Sequence, residues 1–267
     1  MRIYIKDRPR PGKGAGLDAV SPAALLLRVQ EKETVMPSKF RLASFKTCPW
    51  VQRAAIVLRE KGIDYDIDYI DRDNRPEWFL AISPHSKVPV LQVDGERALF
   101  ESNAIAEYID ETAPPRLHPE DPFERARNRA WTDYVPTFAA TATGGGHAMD
   151  EEEFSDMRKQ IPAGFDRLEE ALGRRGNGGP YFNGADFALV DAAYAPFLQR
   201  YTYLDRLRPL GAIEDYPRLG AWRDALVARE SVKTSTVAGF ESLYRDNLKN
   251  RGRWIARYLE DAPAAAE

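Results

Sequence analysis

The sequence is poor in the residues that form covalent cross-links and metal sites. It contains one cysteine, Cys48, and three histidines among 267 residues. A single thiol excludes an internal disulfide and is more typical of a reducing compartment, so we expect a cytoplasmic protein. The histidines, His85, His118 and His147, are widely separated and lack the spacing of a metal site. We therefore predict no metal.

The chain also lacks a long apolar run and a strong charge of either sign. Its longest early apolar segment, 23–27, falls far short of the ~20 residues that a membrane-spanning helix needs. The formal net charge of -3 provides no basic footprint for nucleic acid or for an anionic membrane. We expect a soluble protein that binds small molecules or proteins, with no nucleic acid and no membrane as partners.

A length of 267 residues favours two domains over one. The first residues carry several glycines and basic residues before any regular pattern begins, which predicts a disordered extension. A start of translation at Met36 is an equally good account of this segment. The prolines that follow Thr112 indicate a linker. The predicted divisions are an extension (1–38), a first domain (39–112), a linker (113–123), a helical domain (124–259) and a flexible tail (260–267).

Patterns in the first domain predict a β-α-β unit and then a hairpin. Phe40–Phe45 and Tyr65–Ile70 are strand-like, and the helical pattern Pro49–Lys61 between them ends at Gly62. The two strands should pair in parallel through a right-handed crossover. A short helix near 76–80 precedes a third strand over 87–93, a turn at Asp94-Gly95, a fourth strand over 96–100 and a helix opening at 101–103.

Pro89 interrupts the third strand, because proline cannot donate a hydrogen bond to a sheet. One explanation is an edge position or the start of the strand. The other is a cis Val88–Pro89 bond that turns the backbone N–H and C=O of Val88 toward a ligand.

Strand patterns nearly vanish after the linker. Helical periodicity predicts helices over 124–141, 152–173, 189–204, 217–229 and 235–259. The second domain is therefore predicted to be all-helical. The buried helix that begins near 189 lacks a capping hydroxyl, since Ala188 stands three residues before Asp191, and this loss should cost ~1 kcal/mol.

Cys48 lies between the first strand and the first helix, directly before Pro49. The first N–H groups of a helix and its dipole favour a thiolate at this place, and Lys46 and Arg53 add positive charge. A lone cysteine is more often an inert core residue. The proline at the first helical turn favours a nucleophile instead.

Three motifs in this order resemble the cytosolic glutathione transferases, and the similarity extends from about Phe40 to about Tyr244. The motifs are Cys48-Pro49-Trp50 at the first helix, Lys87-Val88-Pro89 before the third strand, and Glu101-Ser102 at the next helix. With Gln52-Arg53 following, the first motif is similar to the cysteine-type classes, namely omega, lambda, dehydroascorbate-reductase-like and some bacterial members. The resemblance implies an α/β thioredoxin-like domain (βαβ-α-ββα), an all-α second domain, glutathione as cosubstrate and a homodimer.

The resemblance also implies a glutathione site, formed by Lys87, Val88, Pro89, Glu101 and Ser102. Val88, which precedes Pro89, would pair through its backbone with the cysteinyl part, Glu101 and Ser102 would hold the γ-glutamyl end, and Lys87 would meet the glycyl carboxylate. The residue types suit these roles, because a carboxylate accepts hydrogen bonds from an ammonium and a helix start binds a carboxylate. Capping by Glu101 and Ser102, and a solvated position for Lys87, are the alternatives.

A cysteine at position 48, rather than tyrosine or serine, implies thiol transfer, deglutathionylation, or reductive or lyase cleavage of aromatic glutathione conjugates. Val51 occupies the place of a second, resolving cysteine, so a second glutathione would regenerate Cys48. Conventional conjugation of glutathione to electrophiles and a non-catalytic regulatory or binding module remain alternatives.

The pocket for the second substrate should lie between the domains. Its predicted lining is aromatic and would suit an aromatic substrate. The candidates are Trp50, Trp131, Tyr134, Phe138 and Tyr201. Trp131, Tyr134 and Phe138 share one face of a helix by their spacing, and such a stripe is also typical of core packing.

Overall fold

The computed structural model describes residues 39–174, 178–211 and 213–262, which belong to one compact unit. The predicted extension (1–38) and residues 263–267 of the predicted tail lie outside these ranges. No helix in the described part is both long and apolar enough to cross a membrane.

The first part of the chain forms a four-stranded mixed sheet with the order β2-β1-β3-β4. The strands are β1 (Phe40–Ser44), β2 (Tyr65–Tyr69), β3 (Val90–Val93) and β4 (Arg97–Phe100). β1 pairs in parallel with β2, and β3 pairs antiparallel with both β1 and β4. Asp94 and Gly95 form the hairpin turn with φ values of 56° and 76°. The predicted β-α-β unit and hairpin are confirmed.

Three helices accompany the sheet, namely α1 (Pro49–Glu60), α2 (Glu77–Ile82) and α3 (Ser102–Thr112). α1 begins at Pro49 and is followed by Gly62 at φ +61°, which matches the predicted start and stop. Every residue from Val51 to Leu58 is buried, because α1 packs against the sheet, α3 and the helical part of the chain. Cys48 is therefore at the junction of the two parts.

The rest of the described chain is helical. The helices are α4 (Pro122–Thr143), α5 (Glu151–Gly173), α6 (Leu189–Leu207), α7 (Pro217–Ala228), α8 (Glu230–Lys233) and α9 (Phe240–Asn250), with short 3₁₀ segments at Gly144–His147, Ile213–Asp215 and Trp254–Tyr258. α6 is the central helix, and nearly all of its residues are buried. The thioredoxin-like first part and all-helical second part agree with the predicted fold class.

The predicted helix over 235–259 is wrong. The chain forms a helix only over Phe240–Asn250 and then a 3₁₀ segment over Trp254–Tyr258. Gly239 and Gly252 adopt φ values of +65° and +61°, which are left-handed conformations that end or delay a helix.

A buried lysine holds the proline-rich segment between the two parts. Lys61 Nζ lies 2.6 Å from Asp110 Oδ1, and both side chains are 1% exposed. Nζ also donates to the carbonyls of Ala113 and Pro115, while Asp110 accepts the N–H of Leu117 at 2.6 Å. The segment predicted as a linker is thus fixed at its start to α1 and α3.

A polar cluster joins α1 to the helical part behind the cysteine loop. Gln52 donates to Gln199 Oε1 at 2.9 Å and to Ser235 Oγ at 3.0 Å. Arg200 donates to Gln52 Oε1 at 2.7 Å and to the carbonyl of Thr47 at 3.1 Å. The loop that carries Cys48 is therefore hydrogen-bonded to α6.

Candidate functional site

Cys48 is the N-cap residue of α1, with φ -77° and ψ 117°. Its N–H donates to the carbonyl of Phe45 at 3.1 Å, which closes the turn from β1. The backbone amides of Trp50 and Val51 point at the sulfur, and Cys48 as a whole residue is partly exposed, although protein surrounds its sulfur. The geometry expected from the Cys-Pro sequence, with helix N–H groups facing the thiol, is present.

The sequence predicts that the helix start favours the thiolate of Cys48, but the structure gives a raised pKa for this thiol. Burial raises the pKa of Cys48, since protein around the sulfur disfavours the charged form. The amides of Val51 and Trp50 and the charges of Arg200 and Arg72 act in the opposite direction, but burial outweighs them. Lys46 and Arg53, the cations expected from sequence, are not among the groups that lower this pKa.

A first cavity of about 330 Å³, here called the sheet-side cavity, lies where α1, β4, α3 and α4 meet. It brings together all five residues that the family resemblance assigned to glutathione, and Trp50 as well. The five are Lys87, Val88, Pro89, Glu101 and Ser102. Residues more than ten positions apart in sequence thus face one space.

Several polar groups that line this cavity can form hydrogen bonds with a ligand. The Val88–Pro89 bond is cis, and within the described residues the N–H and C=O of Val88 have no protein partner. Glu101 has φ +66° and caps α3 without a side-chain hydrogen bond. The hydroxyl of Ser102, a buried residue, likewise has no partner in the described part of the chain. The capping role considered for both residues is not what their side chains perform here.

Arg53 also lines this cavity, and sequence reasoning missed it as a ligand-facing residue. It is 3% exposed, and its Nε and Nη2 atoms have no hydrogen-bond partner among the residues that the structure describes. Burial lowers its pKa to about 10, although Asp133, on the same cavity wall, acts to raise it. The guanidinium lies 5.3 Å from the ring centre of Trp50. A charged residue in the segment 51–58, whose other residues are apolar except Gln52, is the signal that could have identified it.

A second cavity of about 390 Å³, here called the cysteine cavity, contains Cys48. Trp50 and Pro136 line both cavities, so the two adjoin at these side chains. Its apolar wall includes Phe197 from α6 and Leu248 from α9. Cys48 therefore lines the cysteine cavity but not the sheet-side cavity, and nearby Trp50 lines both.

Four of the five residues predicted for a second-substrate pocket do not line the cysteine cavity. They are Trp131, Tyr134, Phe138 and Tyr201, and only Trp50 does. Phe138 and Tyr201 are 0% exposed, and the Tyr201 hydroxyl donates to the carbonyl of Gly211 at 3.0 Å.

The physical reason is the orientation of α4. Pro136, Ala139, Ala140 and Thr143 face the cavity, and these positions lie on a different face of the helix from the aromatic stripe. Trp131 instead packs near Phe182, with ring centres 6.0 Å apart.

The histidines lie apart from one another. His85 packs against Phe100, His118 bonds Glu107 at 2.8 Å, and His147 lines the cysteine cavity. Among residues 39–174, 178–211 and 213–262, no group of three or more His, Cys, Asp or Glu side chains is arranged to hold a metal ion.

Comparison with known families is decisive. The glutathione S-transferase N-terminal domain model matches residues 47–112, and the C-terminal domain model matches residues 124–225. The chain belongs to the glutathione S-transferase family. The two cavities thus lie in a glutathione S-transferase fold, at the junction of its thioredoxin-like and helical parts.

Related transferases span nearly the same length. The glutathione S-transferase L1 of Arabidopsis thaliana is 33% identical, over 88% of this chain and 93% of that protein. The glutathione S-transferase omega-1 of Rattus norvegicus is 29% identical, over 87% and 91%. Glutathione transferase Omega 3C from Trametes versicolor superposes with a TM-score of 0.66 at 31% identity, covering 75% of this chain and 90% of that one. Rice GST1, solved in complex with glutathione, gives a TM-score of 0.71 at 26% identity, covering 82% and 99%.

Proposed function

We propose that this glutathione S-transferase is a thiol transferase in which Cys48 is the nucleophile. The observation that carries the proposal is the position of Cys48, with its sulfur at the start of α1, beside a cavity lined by Lys87, Val88, Glu101 and Ser102. The omega-type relatives lend further support, since the motif around Cys48 resembles the cysteine-type classes.

Glutathione would occupy the sheet-side cavity. The unpaired backbone of Val88 suits the cysteinyl part of glutathione, and Glu101 and Ser102 suit its γ-glutamyl ammonium and carboxylate. Lys87 suits the glycyl carboxylate, and its turn is fixed because the Ser83 hydroxyl accepts the Lys87 N–H at 3.0 Å. Arg53 adds a buried cation that an anionic ligand would neutralise.

The proposed chemistry has two exchange steps. The Cys48 thiolate attacks the glutathionyl sulfur of a mixed disulfide and forms the Cys48–glutathione disulfide. The other thiol of the mixed disulfide, here called the acceptor because it is the second substrate of the transferase, leaves as a thiolate and takes up a proton. A glutathione thiolate then attacks that disulfide, giving oxidised glutathione and restoring the Cys48 thiolate. Each step breaks one S–S bond and forms another.

A second glutathione is required because the chain has no other cysteine to resolve the intermediate. Val51, three residues after Cys48, is a buried apolar residue of α1. The intermediate should therefore accumulate when oxidised glutathione is supplied without reduced glutathione.

We retain three further expectations as part of this proposal. Residues 39–112 act as the glutathione-binding domain and residues 124–259 as the helical domain. The protein works in the cytoplasm as a homodimer. The acceptor is a small, aromatic molecule. Trp50 and Phe197 line the cysteine cavity together with Cys48 and contact each other with ring centres 4.9 Å apart, and this aromatic wall supports an aromatic acceptor.

The test is intact-mass measurement after incubation with oxidised glutathione, paired with turnover of a glutathione mixed disulfide. We expect one glutathione adduct and turnover in the wild type, neither in Cys48→Ser, and both in Lys46→Gln, a matched change at an exposed neighbour. Absence of adduct and turnover in the wild type would refute the proposal.

The raised pKa of Cys48 favours a second candidate function, in which the thiol does not attack and glutathione itself is conjugated to an electrophile. That function predicts conjugation that persists or increases in Cys48→Ser.

A further inference from the structure

The cysteine cavity has a strongly one-sided charge. Four arginines line it, namely Arg72, Arg200, Arg251 and Arg253, and no aspartate or glutamate is among its described lining residues. The chain as a whole has a formal net charge of -3, so this concentration of positive charge is local. A cavity of this kind attracts an anion.

The four charges are not neutralised by the protein. None of the four arginines forms an ion pair with an acidic side chain in the described ranges. Arg200 is 4% exposed, yet within the described part of the chain it donates only to neutral acceptors, the Gln52 amide oxygen and two backbone carbonyls. Buried charges in proteins are normally paired, so an uncompensated guanidinium in a cavity points to an anionic ligand.

The four arginines of the cavity wall form two pairs, one near Cys48 and one near His147. Arg200 and Arg72 are close enough to Cys48 to lower the pKa of its thiol. Arg253 donates to the carbonyl of His147 at 2.8 Å, and the pKa of His147 is lowered by burial and by the charges of Arg253 and Arg251. Positive charge is therefore present both near the sulfur and near His147 in the cavity wall.

The remaining wall is apolar, with Trp50, Phe197 and Leu248 among its residues. Apolar walls with a few convergent polar groups are typical of small-molecule sites. Guanidinium groups match the planar geometry of a carboxylate and bind sulfonate or phosphate as well.

We propose that the cysteine cavity binds acceptor groups made of an apolar or aromatic body that carries a negative charge, such as a carboxylate, sulfonate or phosphate. This inference rests on the proposed function, since it specifies the acceptor half of the same site. In the exchange reaction the anionic thiol leaves as its thiolate and takes up a proton, while the glutathionyl sulfur passes to Cys48.

Binding of unreactive conjugates tests the inference apart from catalysis. S-(4-carboxybenzyl)glutathione and S-(4-carbamoylbenzyl)glutathione have nearly the same shape and differ by one charge. Calorimetry with the full chain should show the carboxylate bound at least tenfold more tightly at low salt. The preference should shrink at high salt, because ion pairs are screened.

Exposed arginines provide matched variants. Arg72→Gln and Arg251→Gln should each reduce the preference for the carboxylate at least threefold. Arg75→Gln should leave it unchanged, because Arg75 also lies over the Phe45 ring, like Arg72, but does not line the cavity. Arg257→Gln is the corresponding control for Arg251, since Arg257 is exposed and does not line the cavity either.

Three outcomes are distinguishable when S-methylglutathione is included. Tight binding of S-methylglutathione with equal affinities for the two conjugates would overturn the inference and leave the proposed function standing. Equal affinities together with a raised KM for reduced glutathione in Arg251→Gln would assign the arginines to the second glutathione, and would overturn the acceptor assignment. Failure to bind S-methylglutathione would remove the proposed function and the inference with it.

Discussion

Arg53 carries a positive charge that forms no ion pair within the described residues, although Asp133 lies on the same cavity wall, and it is almost completely buried. Replacing it with methionine removes the cost of burying that charge, so we expect Arg53→Met to raise the free energy of unfolding by about 1–3 kcal/mol. The same change should weaken glutathione binding about tenfold, because the ligand loses a cation. Urea unfolding and calorimetry measure the two effects separately.

Arg59→Met is the matched control on the same helix. Arg59 is exposed and does not line the sheet-side cavity, so both quantities should stay within error. If Arg53→Met lowers stability and leaves glutathione binding intact, then Arg53 is a packing residue and the role proposed for it is refuted.

Sequence reasoning succeeds for residues whose position follows from local chemistry. Cys48 before Pro49 must lie at a helix start, and the motifs around Val88 and Glu101 fall next to strand ends. It does not indicate that Trp131 and Tyr134 lie away from the cysteine cavity, because periodicity shows that residues share a helix face but not which neighbour that face contacts. Burial of the Cys48 sulfur is likewise a tertiary property that residue type does not reveal.

Helix α6 lacks the side-chain hydrogen bond of an N-terminal cap. Asp191 accepts hydrogen bonds from the N–H groups of Phe182 at 2.9 Å and Ala188 at 2.8 Å, and from the Trp222 indole at 2.6 Å. Ala188, the N-cap residue, provides no side-chain acceptor for the first turn of the helix. Ala188→Ser supplies one and should raise the free energy of unfolding by about 1 kcal/mol in urea titrations.

A hydroxyl placed elsewhere in α6 should have the opposite effect. Ala193 is 0% exposed and lies inside the helix, so Ala193→Ser should destabilise the protein by about 1 kcal/mol or more. Equal changes in the two variants would contradict the capping argument, since the effect would then reflect serine itself rather than its position.

Helices and strands were predictable where the periodicity of apolar residues agrees with the proline and glycine signals at their ends. α1 follows from Pro49 and Gly62, and the hairpin from Asp94-Gly95. The last predicted helix was too long because the left-handed conformations of Gly239 and Gly252 divide that region, and glycine within a helical pattern does not by itself announce a break.

At the scale of the whole molecule, a few buried polar contacts hold the sheet and the helices together. Gln52 and Arg200 connect α1 to α6. Glu60, at the end of α1, forms an ion pair at 2.6 Å with Arg229, the residue that follows α7. Lys61 appears in the sequence as an ordinary helix-end lysine, yet it is buried against Asp110. Such long-range pairs depend on how the elements pack, and single-sequence patterns do not show them.

Removing the cation of the buried Lys61–Asp110 pair should destabilise the protein. Lys61→Met leaves the Asp110 carboxylate buried without its cation and releases the carbonyls of Ala113 and Pro115, so we expect a loss of about 3–5 kcal/mol in urea unfolding. The double variant Lys61→Met/Asp110→Leu should recover part of this loss, because no buried charge remains. Lys39→Met breaks the exposed pair with Asp66, whose side chains are 81% and 66% exposed, and should change stability by less than about 1 kcal/mol. If the Lys61 and Lys39 variants are equally stable, the buried pair does not hold the connecting segment, and the two parts of the chain are joined mainly by the apolar contacts of α1.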